Sequence, residues 1–169
     1  MSRFAIIGFG CAGYNALRAI RESGSEAEVD VYSTFPHPPA NPMLTTYYVK
    51  GKIPYEAMFP YGTAEEILAK YPCNLHSGVG ITALDAARRE LTLTTGEKKQ
   101  YDKILIATGA NAVNLPVGDI PADRIFTMRT VHDAERLKEA LDQRPIHSAL
   151  VVGASMVGIK TVSYTHLRA

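Results

Sequence analysis

Residues 4–13 read Phe4-Ala5-Ile6-Ile7-Gly8-Phe9-Gly10-Cys11-Ala12-Gly13, an apolar run that enters a glycine-rich turn. The run is short and continuous, as expected of a strand buried on both faces. A helical pattern follows to about Ser23 and ends at Gly24, and Glu28 to Tyr32 reads as a second strand. Strand, turn, helix and strand make the right-handed crossover unit of a parallel sheet. In Gly8-x-Gly10-x-x-Gly13, Gly8 permits the tight turn, Gly10 lets backbone approach a pyrophosphate, and Gly13 lets the helix pack close to the strand. The amides near Cys11 and Ala12 then face the ligand at a helix N-terminus, where the dipole favours phosphate. Glycines also mark ordinary turns, so a purely structural turn stays open. The position after a strand and at the head of a helix is the context a dinucleotide site requires.

Such a site expects an acid about 20 residues beyond the glycines, to hold the ribose hydroxyls. Ser33 stands there instead. A hydroxyl can bond ribose, but more weakly than a carboxylate.

Beyond Ser33 the chain enters a long connection to Gly62, rich in proline (Pro36, Pro38, Pro39, Pro42, Pro54 and Pro60). A connection that long inside a compact domain is usually functional. Within it Asn41 is expected to cap a short helix begun by Pro42 and ended at Gly51. Thr63 and Glu66 form a capping box that starts a helix to about Tyr71. Cys73 precedes a strand. Ile81 to Leu84 and Glu90 to Thr94 read as antiparallel strands, with Thr95-Gly96 turning toward a third near Lys99. Lys103 to Ala107 is another buried strand, closed by Thr108-Gly109. Thr130, with Asp133 at the capping-box position, starts a polar-faced helix to about Gln143.

Ser148 to Val152 then enters Gly153-Ala154-Ser155-Met156-Val157-Gly158, a second strand and glycine turn with Ser155 at the middle glycine position. Helices interleaved with strands, plus an antiparallel insert, imply an open sheet with helices on its faces. The end of the chain breaks the pattern, because Thr161 to Thr165 is a poor helix-forming run. Authentic sequence is expected to stop near Thr161, leaving 162–169 as a non-native tail on a fragment.

Composition narrows the classes. The 169 residues are 46% hydrophobic and 21% charged, ordinary for a globular chain of about one domain. Eighteen basic against seventeen acidic residues give a net charge of +1, no field for nucleic acid or an anionic membrane. No apolar stretch approaches the roughly 20 residues of a membrane helix. The glycines at 8, 10 and 13 would break a signal-peptide core, so a cytoplasmic chain is expected. The two cysteines are too few and too far apart for a metal pair or a disulfide framework. Cys11 is expected to serve packing and Cys73 to be a small buried hydrophobe. The five histidines form no metal pair at helical spacing, and Tyr47, Tyr48, Tyr55 and Tyr61 read as loop packing.

Between the two glycine turns lies Tyr101-Asp102-Lys103-Ile104-Leu105-Ile106-Ala107-Thr108-Gly109-Ala110. It resembles the Y-D-x-L-I-I-A-T-G-A signature of the pyridine nucleotide-disulfide oxidoreductase superfamily. Ile125 to Ala134 is similar to the V-F-T-L-R-T-x-x-D-A stretch of its NADH oxidase, nitrite reductase and ferredoxin reductase branches. Asn41-Pro42-Met43-Leu44 and Tyr47-Tyr48-Val49-Lys50-Gly51 sit where those branches have R-P-x-L and a Y-x-x-G segment. The resemblance covers residues 3 to about 161.

The resemblance implies an α/β chain: a Rossmann-like, three-layer FAD-binding fold with an antiparallel β insert, then the start of a second Rossmann-like, NAD(P)-binding domain. Its implied boundaries are 1–112 for the FAD-binding portion, 113–147 for a connecting segment and helix, and 148–161 for the first strand–turn–helix of the second domain. It implies an FAD-dependent NAD(P)H oxidoreductase that passes hydride from nicotinamide to flavin and on to a small-molecule or small redox-protein acceptor. The fragment itself is expected to be inactive, and the full-length protein can be a homodimer. Gly8, Gly10, Cys11, Ala12 and Gly13 would take the FAD pyrophosphate, with Ser33 at the ribose position and the backbone of Ile81 at the adenine. Ala107, Thr108 and Gly109 would line the cofactor. Arg129 would touch it, unless it is simply a solvated charge before a helix. Gly153, Ser155, Met156, Val157 and Gly158 would take the NAD(P)H pyrophosphate.

Two implied flavin contacts depart from the ferredoxin reductase pattern R-P-x-L-S-K, since Asn41 replaces its Arg and Thr46 its Lys. Residues 33–62 hold no cysteine, which argues against dithiol chemistry. No side chain is singled out as catalytic, because the cofactors would carry the chemistry. A flavin-free NAD-dependent dehydrogenase and an inert nucleotide-binding fragment are the alternatives.

Overall fold

The computed structural model describes residues 1–113, 115–143, 145–153 and 157–160. In chain order its elements are β1 (Arg3–Ile7), α1 (Cys11–Glu22), β2 (Glu28–Ser33), α2 (Thr45–Val49), α3 (Ala64–Lys70), β3 (Asn74–Ser77), β4 (Ile81–Asp85), β5 (Glu90–Leu93), β6 (Lys98–Gln100), β7 (Lys103–Ile106) and α4 (Val131–Gln143). They divide into two compact units, Met1–Ala40 with Phe59–Ala110, and Asn41–Met58 with Asn111–Ala169.

The first unit holds both sheets. Its parallel sheet runs β3-β2-β1-β7, and its antiparallel sheet runs β4-β5-β6. Side chains of β1 alternate between two cores, as period two requires. Ile6, with Val29 and Val31 of β2, packs against Leu17 of α1 and Ile67 of α3. Ala5 and Ile7 pack on the opposite face with Tyr32, Leu91, Leu93 and Tyr101. The layers are therefore helices, parallel sheet and antiparallel sheet. Leu17 is fully buried, and burial of a leucine side chain contributes about 1.5–3 kcal/mol.

Chain order fixes where this layer can hold a ligand. From β1 the chain steps outward to β2 and β3, then returns to the other side of β1 as β7. The order reverses at β1, and ligands of open α/β sheets bind beyond the carboxyl ends of the strands at that point.

The local signals for α1 and α3 hold. Ser23 is the C-cap of α1, followed by Gly24 at φ +75°, and α3 carries the reciprocal Thr63–Glu66 capping box. In the second unit, α4 starts as read, with Asp133 N–H donating to Thr130 Oγ1 at 3.1 Å and Thr130 N–H to Asp133 Oδ2 at 2.8 Å.

Three expectations are corrected. The strand at Lys103–Ile106 forms but is not buried, with Leu105 43% and Ile106 61% exposed. Asn41 does not cap a helix. Its carboxamide oxygen accepts from Met43 N–H at 3.0 Å and its carbonyl from Leu44 N–H at 2.9 Å, a local turn that delays α2 to Thr45 with Leu44 as N-cap. Ser148 to Val152 forms no strand. A strand exists through its ladder, and this run pairs with no described segment, leaving Leu150 89% and Val152 66% exposed. The readings made at Ser155, at Met156 and over 162–169 lie outside the described residues.

Candidate functional site

The carboxyl ends of β1, β2 and β7 meet around the first glycine turn. Gly8 has φ +108°, and its N–H donates to the Tyr32 carbonyl of β2 at 2.8 Å. A Cβ at Gly8 would run into the Ala107 carbonyl, and one at Gly13 would run into the Gly8 carbonyl. These two glycines are thus needed for the close approach of β1, α1 and the β7 end. Gly10 differs: its φ is −86° and nothing lies within 4 Å of the place a Cβ would take. The backbone there is open to a ligand.

Gly10 is also the N-cap of the 12-residue α1, with no side-chain cap and no acid in the first turn. The first amides, at Cys11 and Ala12, therefore sit at the positive end of the dipole without a competing carboxylate. An open backbone, uncapped amides and close packing behind them fit a dinucleotide pyrophosphate.

Cys11 is exposed rather than packed, which corrects its expected role. It opens α1 at the mouth of the turn, where its sulfur lies 3.1 Å from the Tyr61 hydroxyl and Asn15 Nδ2 donates to its carbonyl at 2.8 Å. Tyr61 stacks on Tyr14, ring centroids 4.2 Å apart. The hydrogen bond with Cys11, with burial second, raises the Tyr61 hydroxyl above its ordinary pKa. Cys73 packs at the margin of the helix-side core, and burial pushes its thiol up to about 11.

Around the turn, Ser33 is buried, and its hydroxyl both accepts from Phe35 N–H at 3.2 Å and donates to Phe35 carbonyl at 3.0 Å. Ile81 opens β4, half-buried against the second core. Ala107 N–H donates to the Ile7 carbonyl at 2.8 Å, Thr108 is exposed, and Gly109 turns at φ +71°. The structure thus gathers Gly8, Gly10, Cys11, Ala12, Gly13, Ser33 and Ala107 at one edge of one sheet.

The remaining candidates belong to the second unit. The Thr46 hydroxyl is buried and has no hydrogen-bond partner among the described residues. It lines a cavity of about 10 Å³ with Pro42, Met43, Val157 and Lys160, and Lys160 Nζ lies 5.6 Å from the Tyr47 ring centre. Arg129 N–H donates to Asp133 Oδ2 at 2.9 Å in the cap of α4. Gly153 has φ +110°, and a Cβ at Gly158 would run into the Gly153 carbonyl. The approach of Gly158 to the Gly153 carbonyl matches that of Gly13 to the Gly8 carbonyl, although no described residue stands opposite Gly153 as Ala107 stands opposite Gly8, and 148–152 lacks a ladder.

One feature beside the sheet escaped the sequence. Asp30, 2% exposed, accepts from Tyr101 hydroxyl at 2.7 Å, His76 Nε2 at 3.0 Å, Asn74 Nδ2 at 3.1 Å and Arg3 Nη2 at 3.4 Å. Burial alone would raise the Asp30 carboxyl, but the bonds from His76, Tyr101 and Asn74 outweigh it and hold the pKa below its ordinary value. The only signal for this cluster was the Tyr101-Asp102 pair. Among the described residues no group of three or more metal-ligating side chains occurs, and no helix is long and apolar enough to cross a membrane.

The family model for pyridine nucleotide-disulphide oxidoreductases matches residues 2–168. Among solved structures, putidaredoxin reductase in its covalent complex with putidaredoxin is 26% identical with a TM-score of 0.84, over 98% of this chain and 40% of that one. The water-forming NADH oxidase of Lactobacillus brevis, bound to NADH, is 22% identical with a TM-score of 0.86, over 97% and 37%. A ferredoxin reductase from Rhodopseudomonas palustris is 23% identical with a TM-score of 0.82, over 99% and 41%. The chain therefore spans about 40% of the length of these three proteins.

Proposed function

Because the chain belongs to the pyridine nucleotide-disulphide oxidoreductase family, we propose that it carries the FAD-binding turn, and the opening turn of the NAD(P)H site, of a flavin-dependent oxidoreductase. The observation that carries this reading is the first glycine turn, closed behind Gly8 and Gly13 and open at Gly10.

In this reading Gly10 and the amides of Cys11 and Ala12 take the FAD pyrophosphate, with Gly8 and Gly13 setting the turn. Ser33 and the backbone of Ile81 flank the adenosine end, and Ala107, Thr108 and Gly109 line the cofactor beyond β7. Asn41, Thr46 and Arg129 are assigned to the flavin side. The orphaned Thr46 hydroxyl faces a cavity of about 10 Å³, room for a water-sized group beside it. Gly153, Ser155, Met156, Val157 and Gly158 take the NAD(P)H pyrophosphate, supported by the approach of Gly158 to the Gly153 carbonyl, which matches that of Gly13 to Gly8.

FAD, when bound, would supply the redox chemistry between NAD(P)H and an external acceptor. The chain's own residues bind and orient it, and that chemistry requires no side-chain nucleophile. Cys73, with its thiol pushed up to about 11, suits packing rather than thiolate chemistry. The acceptor is proposed to be a small molecule or a small redox protein, supported by the likeness to putidaredoxin and ferredoxin reductases. Two free thiols suit a reducing cytoplasm.

Turnover and any homodimer are proposed for a protein of the relatives' length. For the 169-residue chain alone, the 40% coverage favours nucleotide binding without turnover. NADH-dependent reduction of a dye, measured on the FAD-treated chain and on a longer protein that contains it, separates the two. Yellow protein and turnover in the longer form are expected. Colourless protein in both forms after FAD treatment contradicts the flavoenzyme reading.

A further inference from the structure

The end of β2 offers an aromatic surface that the function above leaves unused. Phe35 is 43% exposed although it is a large apolar ring. His37 stacks on it, with centroids 5.3 Å apart and planes at 17°, and is itself held by Phe59 at 5.6 Å and by its Nδ1 bond to the Pro38 carbonyl at 2.8 Å. One face of the Phe35 ring is thus covered and the ring is fixed, while much of it remains open.

Its place is defined from two sides. The Gly8–Tyr32 bond sets the glycine turn beside the end of β2, two residues before Thr34. A Cβ at Gly80 would lie 3.0 Å from the Thr34 methyl group, so the β3–β4 connection closes on the residue just before Phe35. A dinucleotide whose pyrophosphate lies on the turn runs its adenosine across this end of the sheet. The usual carboxylate is missing there, and the Ser33 hydroxyl is already engaged by both backbone groups of Phe35.

We propose that Phe35, braced by His37, is the platform on which the adenine ring lies. This rests on the FAD reading above. Recognition of the adenosine end then comes from ring stacking rather than from a carboxylate on ribose.

Binding of FAD, ADP and inorganic pyrophosphate to the 169-residue chain, to Phe35→Ala and to Phe35→Trp tests this. Base–aromatic stacking contributes enough that Phe35→Ala is expected to bind FAD and ADP about 10- to 100-fold more weakly. Pyrophosphate, which has no ring to stack, should bind as before, and Phe35→Trp should restore the affinity. Unchanged FAD and ADP affinity in Phe35→Ala overturns the platform while leaving the FAD reading intact. Equal loss for all three ligands also overturns it, by showing that the ring shapes the turn instead. If the unaltered chain binds none of them, the platform falls, and the FAD reading is then decided by the longer protein.

Discussion

The Tyr101 hydroxyl donates to the Asp30 carboxylate at 2.7 Å, joining the residue that leads into β7 to the middle of β2. Since its one hydrogen is committed there, the neighbouring Tyr32 hydroxyl donates to Tyr101 in turn. Asp102 completes the junction, accepting from Arg3 N–H at 2.7 Å. The Tyr-Asp pair of the signature motif is therefore structural: it clamps the entry of β7 to β1 and β2.

Removing the Tyr101 hydroxyl should be costly, because it leaves buried polar partners short of a bond. Tyr101→Phe is expected to destabilise the chain by about 1–3 kcal/mol in denaturant unfolding.

The same cluster sets a pH dependence. The folded Asp30 pKa lies below its ordinary value of 3.8, so its contribution is fully present above that pH. It is lost as pH falls through the folded value. The stability gap between the unaltered chain and Asp30→Asn should be constant from pH 7 to about 5 and close below about pH 4. Unfolding curves across that range check it.

The cap of α4 explains the second resemblance, over residues 125–134. Asp133 accepts from Thr127 hydroxyl at 2.7 Å and from the backbone N–H groups of Arg129 and Thr130. Asp133→Ala should therefore lower stability by about 0.5–2 kcal/mol, read from thermal or denaturant unfolding. Conservative replacement by Asn should recover part of it.

The two cysteines should differ in reactivity. Cys11 is exposed, whereas Cys73 is half-buried with its thiol pushed up to about 11. A chromogenic thiol reagent is expected to titrate one cysteine in the native chain and both in denaturant. Cys11→Ser should abolish the native signal, and FAD should slow it by covering the turn.

The crossover unit, the antiparallel insert and the caps at Thr63 and Thr130 were legible because each rests on short-range chemistry. β3 was only hinted at. Its residues Asn74 and His76 are polar although His76 stacks on Tyr32 of the second core, since both reach the buried Asp30 carboxylate. Pairing across the chain carries no local pattern. Asn41 misled for the opposite reason: its carboxamide satisfies the same N–H two residues on whether a helix or a turn follows. The glycine turn was readable in outline, but the sequence could not separate Gly10 from Gly8 and Gly13, which depends on what stands opposite each Cα.

That difference supplies the decisive experiment. Gly13→Ala must displace α1 from the Gly8 carbonyl and should cost about 1–3 kcal/mol of stability. The Cβ that Gly10→Val adds meets nothing within 4 Å, so the change should cost no more than about 1 kcal/mol while filling the place of the pyrophosphate. The measurement is therefore an FAD titration of the unaltered chain and of folded Gly10→Val, followed by flavin absorption and fluorescence. Saturable binding that Gly10→Val abolishes is the predicted result. Absence of binding by the unaltered chain, or undiminished binding by Gly10→Val, would contradict the account.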